Sequence, residues 1–98
     1  MLPEILSGLR IPVIAAPLFI ISNPKLVIAQ CKAGIVGSMP ALNARPKEQL
    51  EVELKMITEE LDRYNDKNPD FPAAPFAINQ IVHKSNERLM YDVELCMK

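Results

Sequence analysis

Polar side chains that could touch a ligand follow the third apolar segment of the sequence. Asn79 and Gln80 interrupt the apolar run of residues 75–82, and His83 comes directly after it. A buried amide without a partner costs roughly 1–3 kcal/mol, so Asn79 predicts a hydrogen bond either to a ligand or to a neighbouring loop. His83 has no evident carboxylate to orient it, which is more typical of a loop residue than of a catalytic base.

A second candidate site is the small-residue corner formed by Ala15, Ala16 and Pro17 at the end of the run IPVIAAPLF. A continuous apolar run without charge predicts a buried parallel strand, here at residues 12–16. In α/β proteins ligands bind at the carboxyl ends of such strands. Two interpretations stay open: a flat ligand lies against the corner, or a helix packs closely on it.

The sequence offers few signals for other kinds of site. Ser38 could donate a hydrogen bond to a phosphate or to a ring oxygen, but serine at the end of a strand is commonly a turn former. Gly34 and Gly37 do not have the spacing of a GxGxxG or Walker A phosphate loop. The sequence has no metal-ligand spacing, nucleophile elbow or paired catalytic carboxylates. Cys31 and Cys96 lack CxxC or His/Cys spacing, so we expect reduced thiols.

The composition is typical of one globular domain. The chain has 98 residues, of which 49% are hydrophobic and 23% are charged, and this length does not comfortably hold two domains. The formal net charge of −1 gives no reason to expect nucleic acid or a membrane surface as a partner. The sequence has no apolar run of about 18 residues and does not start with a secretory signal. We therefore expect a cytoplasmic protein.

Turn residues divide the chain into alternating helices and strands. Asn23 followed by Pro24 is a typical helix start, and Gly34 allows the left-handed conformation that often ends a helix. The order α, β, α, β, α, β, α predicts parallel strands joined by right-handed crossovers. The predicted elements are a helix at 3–9, a strand at 12–16, a helix at 24–33, a strand at 35–38, a helix from 46 up to a loop at 65–75, a strand at 75–82 and a last helix from 86.

Three short parallel strands would leave two unpaired sheet edges and one incompletely covered face. Parallel sheets are stable when both faces are buried. We therefore expect the chain to be an N-terminal piece of a larger α/β protein, either a truncated product or the product of a split gene. The alternative is a small module that covers its edges by self-association.

Two segments together resemble a known family. IPVIAAPLFIISNPKLVIAQCKAGIVGSMPALNARP and PFAINQIVHKSN are similar to the opening of the nitronate monooxygenase family, also called 2-nitropropane dioxygenases. The resemblance covers essentially the whole chain but only about the first third of a family member. It implies an α/β fold in which residues 1–98 form the first three βα units of one FMN-binding TIM (β/α)8 barrel.

The resemblance also implies an activity and site residues. The activity is oxidation of an alkyl nitronate with FMN and dioxygen to a carbonyl compound and nitrite. The backbone at Ala16, Pro17 and Leu18 would lie against the flavin ring, and the side chain of Asn79 would hydrogen-bond that ring. Family members often have methionine where Leu18 stands and an apolar residue where Gln80 stands.

The catalytic base is expected outside these 98 residues. In the family, the glycine-rich loops that bind the FMN phosphate and the histidine that acts as base come later in the barrel. His83 does not match that histidine, so we assign it at most a contact with substrate. The isolated chain is expected to be inactive and to bind FMN weakly or not at all. Two alternatives stay open: a flavin-dependent enoyl reductase on the same barrel, and an inactive fragment that self-associates through its open edges.

Overall fold

The computed structural model describes Leu9 and residues 12–97. This part of the chain is a small α/β structure with an open, two-stranded parallel sheet. Among these residues no helix has the length and apolar character needed to cross a membrane. The helix predicted at 3–9 lies outside the described residues, apart from Leu9. The elements are α1 (Pro24–Lys32), β1 (Gly37–Pro40), a 3-10 turn (Ala41–Asn43), α2 (Gln49–Lys67), β2 (Phe76–Asn79) and α3 (Leu89–Cys96).

Helix α1 begins and ends where the sequence predicts. Its N-cap is Asn23, whose Oδ1 accepts a hydrogen bond from the backbone N–H of Leu26 at 2.9 Å. Gly34 follows the helix with φ 98°, the left-handed conformation that favours glycine. The helix then lies so close to strand β1 that a Cβ at Gly37 would be 2.5 Å from the carbonyl oxygen of Val27.

Strands β1 and β2 pair in parallel, with Ser38 opposite Ala77 and Pro40 opposite Asn79. Strand β1 begins two residues later than the predicted strand at 35–38. Strand β2 is shorter than the predicted run of 75–82, because its pairing ends where β1 ends. The rest of that apolar run continues beyond the sheet.

The first predicted strand is reduced to a single parallel bridge between Ile14 and Val36. The N–H of Ala15 donates to the carbonyl oxygen of Val36 at 2.8 Å, and the N–H of Val36 donates to that of Val13 at 2.9 Å. The prediction of a buried strand at 12–16 is wrong, because Val13 and Ile14 are 46% and 56% exposed. An apolar strand is buried only where a second layer covers it, and no described element does so here.

The three parallel segments lie side by side in chain order, and helices α1 and α2 pack on one face of them. Helix α2 carries Leu50, Leu54, Ile57 and Leu61 at helical spacing, a periodicity that predicts one apolar stripe, and this stripe faces the core. The opposite face of the sheet carries Ser38, Pro40, Ala77 and Asn79, and the two residues on β2 are exposed. The core contains Val27, Ile28, Cys31, Met39, Leu50, Ile57 and Leu61, with Leu54, Phe76 and Ile78 packed against it.

Candidate functional site

The candidate site residues lie near one edge of the sheet. Asn79 is the last residue of β2, and residues 16–18 follow the bridge at Ile14. Parallel strands end at the same edge, which is where α/β folds bind ligands. Two strand spacings separate the first segment from β2, so the corner and Asn79 are roughly 10 Å apart across the sheet.

The corner itself is open. Ala15 is half-buried, whereas Ala16, Pro17 and Leu18 are exposed. No helix of the described part of the chain packs on this corner, so close helix packing does not account for its small residues there. A flat group could approach the backbone without meeting a large side chain.

Ser38 has a structural partner. Its hydroxyl donates to the carbonyl oxygen of Ala15, and the side chain is almost fully buried. This hydrogen bond ties the 12–16 segment to strand β1. Since the hydroxyl proton is used in this way, Ser38 does not offer a free donor to a phosphate.

Asn79 and Gln80 point to opposite sides, as the strand geometry predicts. Asn79 is exposed at the site edge. Gln80 turns towards helix α3, where its Nε2 lies 3.4 Å from the Cys96 sulfur. The amide that remains available to a ligand is therefore that of Asn79.

His83 lies beyond the end of β2 and is exposed. Its Nδ1 is 2.8 Å from the hydroxyl oxygen of Ser85 and accepts from the Ser85 N–H at 3.1 Å. These contacts close a local turn. They support the interpretation of His83 as a loop residue.

Sequence patterns gave no indication of the role of Asn43. Its Oδ1 accepts from the N–H of Ile20 at 3.0 Å, and its Nδ2 donates to the carbonyl oxygens of Leu18 at 3.0 Å and Ser22 at 2.7 Å. The asparagine thus joins the end of the 3-10 turn to the loop that follows the corner. These contacts span more than 20 residues of sequence, which is why local patterns do not predict them.

A buried ion pair joins helix α3 to the same turn. Asp92 is fully buried, and the Arg88 side chain is 18% exposed. The guanidinium donates to the carbonyl oxygens of Ala44 at 2.6 Å and Ala41 at 3.1 Å, and to Asp92 Oδ1 at 3.3 Å. Arg88 Nε also lies 3.2 Å from Asp92 Oδ2, close enough for an ion pair although the N–H is not aimed at that oxygen. The one sequence signal for this pair is its i,i+4 spacing.

Glu53 lies on α2, close enough to Arg88 for the guanidinium charge to affect the pKa of its carboxyl. Its Oε2 is buried and has no hydrogen-bond partner in the described structure. Burial raises the pKa of the Glu53 carboxyl, and the positive charge of Arg88 partly opposes this. The folded chain therefore binds a proton at Glu53 more readily than the unfolded chain does.

Because of this pKa shift, the stability of the fold depends on pH, and Glu53→Gln is expected to remove that contribution. A carboxyl whose pKa is raised on folding stabilises the fold less as pH rises through the interval from its ordinary value of 4.5 to its folded value. The glutamine variant should therefore be more stable than the parent chain at pH 7 and similar to it below pH 4. Urea midpoints across this pH range measure the difference. Glu51→Gln, on the exposed face of the same helix, is the control, and a less stable Glu53→Gln variant at pH 7 would contradict the assignment.

A cavity of about 610 Å³ lies away from this edge, between α2, β2 and α3. Leu54, Phe76, Ile78 and Leu95 line it, with the Cys96 sulfur at one side. It is on the helix-covered face, so it does not contribute to the candidate site.

The chemistry available at the site is recognition rather than catalysis. Exposed backbone at residues 16–18 and the amide of Asn79 can bind and orient a planar group with polar edges. In the described part of the chain, no cluster of three His, Cys, Asp or Glu side chains could hold a metal ion. Comparison with protein-family models, with curated proteins and with solved structures gave no match.

Proposed function

We propose that this chain is part of an FMN-dependent oxidoreductase of the nitronate monooxygenase type, and that its strands and helices are βα units of a (β/α)8 barrel. The layer arrangement is the observation that supports this most. Three parallel segments follow one another in chain order, and both crossover helices lie on one face. This is the arrangement of consecutive βα units of a barrel, whose helices all lie outside its strands.

The exposed apolar residues also support a barrel. Val13 and Ile14 lie at one edge of the sheet, and Ile81 and Val82, which is 83% exposed, follow its other edge strand. Exposed apolar surface of this kind marks an interface. Neighbouring strands of a barrel would cover both edges.

The candidate site suits the ring of FMN. Small residues at the corner let a flat ring approach the backbone of residues 16–18. The amide of Asn79 has two donors and an acceptor for the polar edge of the ring. Bound FMN would supply the electron transfer that converts an alkyl nitronate and dioxygen to a carbonyl compound and nitrite. The residues of this chain would bind and orient the ring, and the base would come from another part of the barrel.

The test uses the natural gene product. This is the protein expressed from its own gene and purified with any further residues or subunits that accompany this chain. We expect the visible absorption of bound flavin, and dioxygen consumption with release of nitrite when an alkyl nitronate is added. Activity that requires reduced nicotinamide and an enoyl substrate would favour the enoyl reductase instead. A natural gene product without flavin would overturn the proposal. If it sedimented as a stable oligomer of 98-residue chains, it would favour the self-associating fragment.

A further inference from the structure

The loop between the corner and helix α1 contains a backbone conformation that needs support. Ile20 has φ 65°, a left-handed value that is costly for a β-branched residue. The residue is 71% exposed, so packing of its side chain does not compensate for the cost. Such conformations persist only where the surrounding structure imposes them.

Asn43 supplies that support with a single amide group. Its oxygen accepts the N–H of Ile20, and its nitrogen donates to the carbonyl oxygens of Leu18 and Ser22 on either side. The loop is closed further by Ser22, whose hydroxyl accepts from the Leu18 N–H at 2.7 Å and whose N–H donates to the Leu18 carbonyl oxygen at 3.0 Å. Asn43 therefore pairs with the loop before, within and after the strained residue.

Asn43 is itself fixed from the other side. It ends the 3-10 turn, and Arg88 donates to the carbonyl oxygens of Ala41 and Ala44, at the start of that turn and just after it. The buried carboxylate of Asp92 holds the guanidinium in place. Hydrogen bonds from Arg88 therefore hold the turn that carries Asn43, and Asn43 in turn hydrogen-bonds the loop.

We propose that Asn43 is a positioning residue for the candidate flavin site. Its amide holds residues 18–22 in one shape, and this fixes the backbone of Ala16, Pro17 and Leu18 before the ring binds. The inference rests on the proposed function for the identity of the ligand. The order of the loop is a property of the chain alone and can be measured without flavin.

The first part of the test is amide hydrogen exchange on the 98-residue chain. In Asn43→Ala, the Ile20 amide should exchange roughly tenfold faster, because it loses its acceptor. Asn43→Asp keeps an acceptor for that amide but cannot donate to Leu18 and Ser22, so it should give an intermediate rate. Asn68→Ala is the matched control, since Asn68 also donates to a backbone carbonyl oxygen, that of Tyr64, but at the C-terminal end of helix α2. Unchanged exchange at Ile20 in Asn43→Ala would overturn the proposal.

The second part measures FMN affinity and the visible flavin spectrum in the natural gene product. Asn43→Ala should weaken FMN binding roughly tenfold and shift the spectrum, while Asn68→Ala changes neither. A purely structural loss of stability would not shift the spectrum of the flavin that remains bound. If Asn43→Ala binds FMN with the affinity of the parent protein, the positioning role of Asn43 is overturned and the proposed function is not. A natural gene product without flavin overturns the proposed function.

Discussion

Replacing Asp92 by alanine is expected to lower the free energy of unfolding by about 3–5 kcal/mol. Asp92 is fully buried, and the guanidinium of Arg88 beside it is 18% exposed. Removing the carboxylate leaves the arginine charge buried without its ionic partner, which costs more than the intact pair contributes. Because small domains are stable by only about 5–15 kcal/mol, this single change should unfold a large part of the population in mild urea. Far-UV circular dichroism during urea titration measures the loss.

Two further variants separate charge burial from side-chain deletion. Glu94→Ala removes an exposed acid from the same helix and should change stability by no more than about 0.5 kcal/mol. The double replacement of Arg88 by Met and Asp92 by Leu should be less harmful than Asp92→Ala, because no charge is left buried. A loss below about 1 kcal/mol in Asp92→Ala would mean that the guanidinium finds another partner. Glu53 is the candidate, since the charge of Arg88 already acts on its carboxyl, and adding Glu53→Gln would then reveal it.

The parts of the fold that depend on neighbouring residues could be predicted from the sequence. The start of α1 depends on Asn23 and its end on Gly34, and both act within one helical turn. The apolar stripe of α2 follows from the periodicity of its leucines and isoleucine, and it packs on the core as that pattern predicts. Local capping and periodicity are enough to determine such elements.

The parts that depend on distant residues could not be predicted. The run at residues 12–16 is apolar enough for a buried strand, but burial depends on a covering layer, and composition does not show which residues supply it. The buried face of α3 was missed because its central residue is Asp92, and periodicity places charged residues outside. Arg88, which shields that charge, also donates to carbonyl oxygens more than 40 residues away.

The candidate site shows the same division. The sequence predicts a hydrogen-bonded amide at Asn79 because a polar residue interrupts an apolar strand. The structure places Asn79 at the edge of the sheet, exposed rather than buried, and its contact with a ligand stays a prediction. Asn43 follows strand β1, and no comparable sequence pattern marks it. Its role depends on the positive φ of Ile20. A conformation of that kind, at a β-branched residue, has no signal in the sequence.

Replacing Ala16 by leucine is expected to abolish FMN binding by the natural gene product while leaving the stability of the FMN-free protein within about 0.5 kcal/mol of that of the FMN-free parent. Ala16 is exposed, so the described chain has room for the larger side chain. Under the proposed function, however, the flavin ring lies against this backbone, and a leucine there would occupy the position of the ring. Flavin content after purification measures the first effect, and the urea midpoint of the FMN-free proteins measures the second, since bound FMN would itself stabilise the parent.

The matched control is Ala29→Leu, which makes the same change at an exposed position of α1, away from the corner. It should leave both flavin content and stability unchanged. If Ala16→Leu keeps a full complement of flavin, the ring does not lie on this corner, and Asn79→Leu then becomes the deciding variant. If only Asn79→Leu loses flavin, the ring lies beside β2. If both variants keep their flavin, the flavin site does not include this edge of the sheet.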